Sequence, residues 1–511
     1  MLVAPPCHNY FSGGIGMKLT GNGFALITIL AIFISIGVPR TTDLDTASFL
    51  KTNYDVSTDA GKVTEVPYVW QEINGFCHWA TLSMALQSIG VQLDLAEVLA
   101  VSGAGFTAGY VRYEDDWKFL PGPIYRQQST MTTVADLFGF EIEFYMDTDS
   151  TDYGPLMALK MESESVNWTE IDGWDEGIQI LKNGIDRGFP VEIYVNLQNL
   201  PASDYDILRD LGINDTTPTH SILITGYNNT SGTAQIMDPA IGLIDDPATF
   251  PDDGSGIYDI SYTSLDQAWL GLYGITIVKP GSGIREDFTH DFVNYILDRL
   301  RGDRTSYAPE SEDIFFWNFG SNAFRAMAAD LTEAGLSSFM DEFDEYNLET
   351  KSIILQNLGF EIEFSLTQQC ESYRAAIDAL PSVLPDLDLQ DFVSEARLAL
   401  EHFELFADNS TVNTPFYTAG RKLVTQAFEN IAYQYEHVLD GDLSSAVSVY
   451  HEELAEIQIH LTAIADVWDA AAGVLERALQ GLRIPPIILL STSIAGIIVL
   501  VIVFVRRKRR M

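Results

Sequence analysis

One stretch limits the fold more than any other. Val66 to Ile89, VPYVWQEINGFCHWATLSMALQSI, runs from an extended segment through a turn at Glu72 to Phe76 into a helix that opens on a cysteine. From Cys77 onward, Trp79, Leu82, Leu86 and Ile89 recur at helical spacing, so Cys77 falls in the first turn. Unpaired backbone N–H groups and the positive end of the macrodipole favour an anion there, and a thiol so placed is favoured as the nucleophilic thiolate. Free cysteines are also commonly small core hydrophobes, so partners elsewhere in the chain must decide between the two readings.

The rest of the composition removes whole classes of function. Across 511 residues, 72 acidic side chains face 29 basic ones, a net charge of −43 spread along the chain. Phosphate binding needs clustered Lys and Arg, so no nucleic-acid partner is expected. Such a surface is well hydrated, and it repels anionic membranes and acidic substrates at long range. The three cysteines, Cys7, Cys77 and Cys370, cannot build a disulfide framework. Cys370 reads as structural, because Leu366 and Tyr373 share its helical face. His451 and His460 lack the H-E-x-x-H spacing, and no metal site is expected. In SGAGFTAGY, Ser102 to Tyr110, the glycine spacing fits neither nucleotide fingerprint and no Lys follows, so the stretch reads as a flexible loop lining a groove, and no cofactor is expected.

Both ends of the chain point to a membrane. Residues 484–505 carry no charge and would span about 33 Å as a helix, enough to cross a bilayer. Arg506, Arg507, Lys508, Arg509 and Arg510 follow at once, which by the positive-inside rule makes the tail cytoplasmic and the preceding chain external. Lys18 and the apolar run Phe24 to Val38 match a signal-peptide core or an N-terminal anchor. Sequons at Asn167, Asn214, Asn228, Asn229 and Asn409 agree with export.

Between these ends the texture changes near residue 283. Strands are expected at 141–146, 190–197, 220–227, 233–239 and 273–280, which with the preceding helix makes the class α+β. The segments around NNTSG, Asn228 to Gly232, read as a hairpin with Tyr227 opposite Thr233. That register sets His220 opposite Ala240 and makes Asp238 its diagonal neighbour on the same face. From about 285 to 480 long helices are expected, one of them over Leu443 to Leu479, with breaks at Pro381, Pro385 and Pro415. The hexapeptide GFEIEF occurs at 139–144 and again at 359–364 without similarity on either side, which argues against an internal duplication.

A thiolate nucleophile needs a base, the base needs an orienting acceptor, and the oxyanion needs a donor. Cys77, His220, Asp238 and Gln71 supply one residue type for each role. The pattern V-P-x-x-x-Q-x5-C followed by a helix with Met84, then H-x5-G-Y and D-P, resembles the papain-like cysteine peptidases of the double-glycine, bacteriocin-processing type. The Cys-to-His separation lies within the window of roughly 130 to 150 residues of papain-like enzymes. The resemblance covers about 66–90 and 219–240, and it implies Cys77 as nucleophile, His220 as base, Asp238 as its orienting residue and Gln71 in the oxyanion hole. This chain has His78 and Trp79 where relatives carry Gly and a small residue; His78, on a different helical bearing from Cys77, reads as a wall or surface residue. A looser similarity, to the acyltransferases of the butirosin biosynthesis type, rests on the SGAGF loop and the helical C-terminal region.

The expected organisation is a signal peptide or anchor at 1–40, a papain-like catalytic domain at 41–283, a helical accessory domain at 284–483, a transmembrane helix at 484–505 and a basic tail at 506–511. The expected partners are a peptide or protein substrate and, through the C-terminal helix, a lipid bilayer. The expected activity is outward-facing peptide-bond hydrolysis. Thiol-dependent acyl transfer to an amine and an inactive peptide-binding module of the same fold remain the alternatives.

Overall fold

The computed structural model describes residues 59–482 except 73–74, 114–115, 122–129, 150–165, 203–204, 207–219, 242–255, 270, 303–314, 342 and 408–421. The segments 1–40 and 484–511, Pro415, and the sequons at Asn214 and Asn409 lie outside the described residues. Among the described residues no helix is long and apolar enough to cross a membrane.

The strands are β1 (Ala60–Lys62), β2 (Ala108–Tyr113), β3 (Asp116–Pro121), β4 (Phe140–Met146), β5 (Thr169–Glu170), β6 (Val191–Val195), β7 (His220–Asn228), β8 (Thr233–Met237), β9 (Ile257–Ser261), β10 (Ile275–Pro280) and β11 (Phe315–Phe319). The first six helices are α1 (Cys77–Ser88), α2 (Leu95–Val101), α3 (Thr130–Phe138), α4 (Gly173–Asp186), α5 (Tyr262–Trp269) and α6 (Phe288–Arg301). The remainder are α7 (Ser321–Asp330), α8 (Glu333–Asp341), α9 (Leu348–Val383), α10 (Gln390–Phe403), α11 (Leu423–Tyr433), α12 (Leu443–Val449) and α13 (His451–Leu482).

The class is α+β, a sheet followed by a helical C-terminal region. The five segments read as strands in the sequence are the central strands of an eight-stranded sheet, in the order β4-β10-β6-β7-β8. Strands β5 and β9 extend its edges, and β1 pairs with the far half of β7. A second sheet, β11-β2-β3, had no clear alternation to announce it. Alternation along the central strands divides the core in two. Ile193, Ile222, Ile224 and Ile236 pack with Leu181 and Ile185 of α4 and Leu265 and Trp269 of α5. Leu223 and Met237, on the opposite face, pack with α1 and join the core shared with the helical region.

The hairpin register differs from the expected one at its turn. Asn228, not Tyr227, pairs with Thr233, but a bulge between Ile224 and Gly226 absorbs one residue, so Leu223 faces Met237 and Ile224 faces Ile236. Beyond the bulge the register is the expected one, and it carries His220 and Asp238 onto the diagonal.

Helix α9 ties the two regions together. Its buried face, including Leu366, Cys370, Tyr373 and Ile377, packs along α2 in the same hydrophobic core as Phe76, Leu82 and Leu86. SGAGFTAGY lies against this helix and is buried throughout, which corrects the expectation of a flexible groove loop. A Cβ on Gly105 would stand 2.6 Å from the Ser372 carbonyl oxygen and 2.2 Å from the Ala376 Cβ, so the glycine is required by close approach to α9. Gln369 Nε2 donates to the Gly105 carbonyl at 3.0 Å and Tyr295 Oη to that of Ser102 at 2.6 Å, satisfying the buried backbone.

Two helix boundaries are also corrected. Pro381 sits in the last turn of α9 instead of dividing two helices, and the chain leaves the helix at Leu384, just before Pro385. Leu443 to Leu479 is not continuous: α12, capped by Asp442, stops at Tyr450 and α13 restarts at His451.

Candidate active site

Cys77 is the first residue of α1, and Phe76 at the N-cap position offers no side-chain acceptor to the first-turn N–H groups. The thiol is half-buried, while the helix behind it is anchored by Trp79, Leu82, Met84 and Leu86. The turn before it needs left-handed backbone at Glu72 (φ 60°) and Gly75 (φ 97°). Gln368 of α9 lies against Gly75, so the helical region touches the segment leading to Cys77.

Gln71 precedes that turn. Its backbone N–H donates to the Pro239 carbonyl at 2.9 Å, which ties it to the segment carrying Asp238. Its side chain is 5% exposed, and its buried Oε1 has no partner among the described residues. A buried amide oxygen left without a partner is costly in a scaffold, which marks Gln71 as a residue whose side chain is not fully used by the fold.

His220 opens β7, and its Nε2 bonds Asp238 Oδ1 at 2.8 Å. Asp238, immediately after β8, is fully buried and accepts three further bonds: from Tyr205 Oη at 2.9 Å, Tyr258 Oη at 2.8 Å and the Ala240 N–H at 3.0 Å. Burial alone would push its carboxyl up, but the charge and hydrogen bond of His220, with those donors, hold it below the usual range. Burial would push His220 down, yet the Asp238 carboxylate, first by charge and then by hydrogen bond, carries the imidazole above its ordinary value. The Cys77 side chain also acts on the same ring and adds to that rise. Since Asp238 occupies Nε2, Nδ1 is the nitrogen left for the sulfur.

The four residues singled out from sequence therefore lie on three adjoining elements, with His220 between Cys77 and Asp238. The sequence reading missed the tyrosines that hold Asp238, and also missed Tyr68, whose hydroxyl donates to the Asp238 and Ile241 carbonyls. It missed Glu192 as well. This carboxylate lies in β6, 2% exposed, and its Oε1 accepts from His78 Nδ1 at 2.7 Å, from Thr81 Oγ1 at 2.7 Å and from Ser221 Oγ. His78, read as a wall or surface residue, is a partly exposed side chain bonded to a buried charge. The available signal was an acidic residue inside the apolar run PVEIYV.

Cys370 differs from Cys77 in its burial. It is fully buried inside α9, and burial, reinforced by the Glu371 carboxylate, pushes its thiol up to about 12. Among the described residues no group of three or more His, Cys, Asp or Glu side chains could hold a metal ion.

Residues 63–246 match the model of the Peptidase_C39 like family, a stretch that contains Gln71, Cys77, His220 and Asp238. The resemblance read from the two sequence blocks thus extends across the segment joining them, and the match implies a papain-like fold and a peptide or protein substrate. No curated protein matches the chain.

Proposed function

We propose that this protein is a cysteine peptidase anchored in a membrane with its catalytic region outside. Cys77 is the nucleophile, His220 the acid and base, Asp238 the residue that orients His220, and Gln71 an oxyanion donor. One observation carries the reading: buried Asp238, saturated by four donors, bonds a histidine whose ring also feels the cysteine in the first turn of a helix. The family match over 63–246 supports it independently.

The chemistry follows from the bonds. Asp238 keeps His220 protonated through neutral pH, so the ring is an imidazolium able to act as the acid of the reaction. Attack on a peptide carbonyl forms the S–C bond and moves the carbonyl π pair onto oxygen, where the Gln71 amide and the free first-turn N–H groups of α1 can donate. Collapse breaks the C–N bond as His220 Nδ1 gives its proton to the leaving amine. Water then attacks the thioester, returns a proton to His220 and breaks the C–S bond.

Anchoring rests on the uncharged run 484–505 and the five cations after it. Two measurements test the proposal. Mass spectrometry after brief iodoacetamide treatment of the native full chain should find Cys77 modified and Cys370 spared; the reverse would remove Cys77 from the chemistry. External protease on intact cells should release fragments from 41–483, and protection of that region would refute the orientation.

A further inference from the structure

One buried carboxylate takes no part in the proposed chemistry, yet it stands where two of the elements that carry it meet. Glu192 is buried in β6, and three side chains converge on its Oε1: His78 Nδ1 at 2.7 Å, Thr81 Oγ1 at 2.7 Å and Ser221 Oγ. Thr81 and Ser221 are themselves buried, with 3.0 Å between their hydroxyl oxygens. Burial alone would push the Glu192 carboxyl up, but His78, Ser221 and Thr81 hold it below the usual range. An ionised carboxylate only accepts, so both hydroxyl protons turn to it.

Thr81 lies one turn into α1, the helix that opens on Cys77, and Ser221 follows His220 at the start of β7. A single oxygen of β6 therefore ties that helix to that strand. Stability gives no reason for a charge there, since apolar residues of similar volume commonly replace a buried ion pair at no cost. Apolar packing would also hold α1 on the sheet, but it is non-directional, whereas hydrogen bonds of set length and angle fix where the helix lies along the strand. We propose that Glu192 is a positioning residue: through the Thr81 and Ser221 hydroxyls it fixes α1 along β7, and with it Cys77 against His220. This rests on the peptidase reading, in which those two residues react together.

The test follows alkylation of Cys77 by iodoacetamide at pH 6, read by mass spectrometry on the full chain. A thiol paired with an imidazolium reacts there while an ordinary one is scarcely ionised, so His220→Ala should slow Cys77 by about 10- to 100-fold. A misplacement of about 1 Å can cost ~10²-fold, so Glu192→Leu and Thr81→Val should each slow it about 10-fold, and Thr81→Ser, which keeps the hydroxyl, should restore the rate to within about twofold. In a His220→Ala background the same changes should have almost no effect, because the alignment they disturb is already without its partner. Glu192→Leu orphans neither hydroxyl, as Thr81 can then donate to the His78 carbonyl at 2.8 Å and Ser221 to Thr81. Urea unfolding checks the fold of each variant, and Thr81→Val, close to threonine in shape, cuts the same tie from the side of α1 should Glu192→Leu not fold. Equal slowing with and without His220, or no slowing in the folded variants, overturns the inference and leaves Glu192 as a structural charge. A Cys77 rate that does not depend on His220 in the first place overturns the peptidase reading instead, so the two failures are distinguishable.

Discussion

Asp238→Asn keeps the shape of the buried carboxyl and removes its charge, which makes it the most informative single change at the site. In the native protein His220 is raised to about 10, against roughly 6.5 when unfolded, so the stability it contributes is complete below the unfolded value and lost as pH climbs through the folded one. Asp238 is depressed, so its contribution is present above its unfolded value of roughly 3.9 and is lost as pH falls through the lower folded value. These are two views of one bond, strongest between about pH 4 and pH 6.5. Breaking a buried pair costs about 3–5 kcal/mol, so the variant should be less stable by that amount near pH 5.5. Near pH 10 the deficit should shrink toward the ~1 kcal/mol of a neutral hydrogen bond. Without the carboxylate only burial and the weaker Cys77 contact act on His220, and its ring should titrate well below the native value. Urea unfolding at the two pH values, with NMR titration of the His220 ring, measures both effects. Turnover should fall by as much as the ~10⁴ seen when a triad aspartate becomes asparagine. An equal stability deficit at both pH values, or a native His220 titrating near 6.5, would refute the reasoning.

Gln71→Ala should lower kcat by about 10² to 10³ with little change in KM, and should cost almost nothing further in a Cys77→Ala background, because residues acting as a unit are not additive. Steady-state kinetics on one peptide substrate decides it, and wild-type kcat would remove Gln71 from the oxyanion site. Gly105→Val drives a side chain against the α9 backbone and should destabilise the fold by about 1–3 kcal/mol or more, read as a lower urea midpoint. Cys370→Ala should keep turnover within a few-fold, and a loss comparable to that of Cys77→Ala would mean the wrong sulfur has been assigned.

Much of the sheet was legible because its central strands are rich in β-branched and aromatic residues and the β7–β8 hairpin carries a recognisable loop. The one-residue slip at Thr233 was hidden because a bulge at Thr225 leaves no mark in the hydrophobic pattern, yet it compensates the shorter turn and leaves His220 and Asp238 in place. Tyr205 and Tyr258 could not be found, since each reaches Asp238 from a segment with no local pattern of its own. GFEIEF shows the limit most plainly. At 139–144 the hexapeptide enters β4, and Glu143 pairs with Arg187 and Lys279 on the surface. At 359–364 it lies within α9, where Glu363 is fully buried and accepts the N–H groups of Lys422 and Thr425 at the start of α11. Identical local propensities thus give strand or helix according to what they pack against.

The dependence of the surroundings of Cys77 on α9 has a consequence for when they are complete. Gln368, Gln369, Ser372 and Ala376 press on the turn before Cys77 and on the buried glycine segment after α2, yet they are made 264 to 293 residues later. At synthesis rates of about 5–20 residues per second, the early half of the chain waits on the order of tens of seconds for the helix that completes its core. During that interval the apolar face of α2 is without its native cover, and the segment leading to Cys77 lacks its backing. The order of the chain therefore acts as a timer that ties assembly of the setting of Cys77 to the emergence of residues 368–376, well into the second half of the chain.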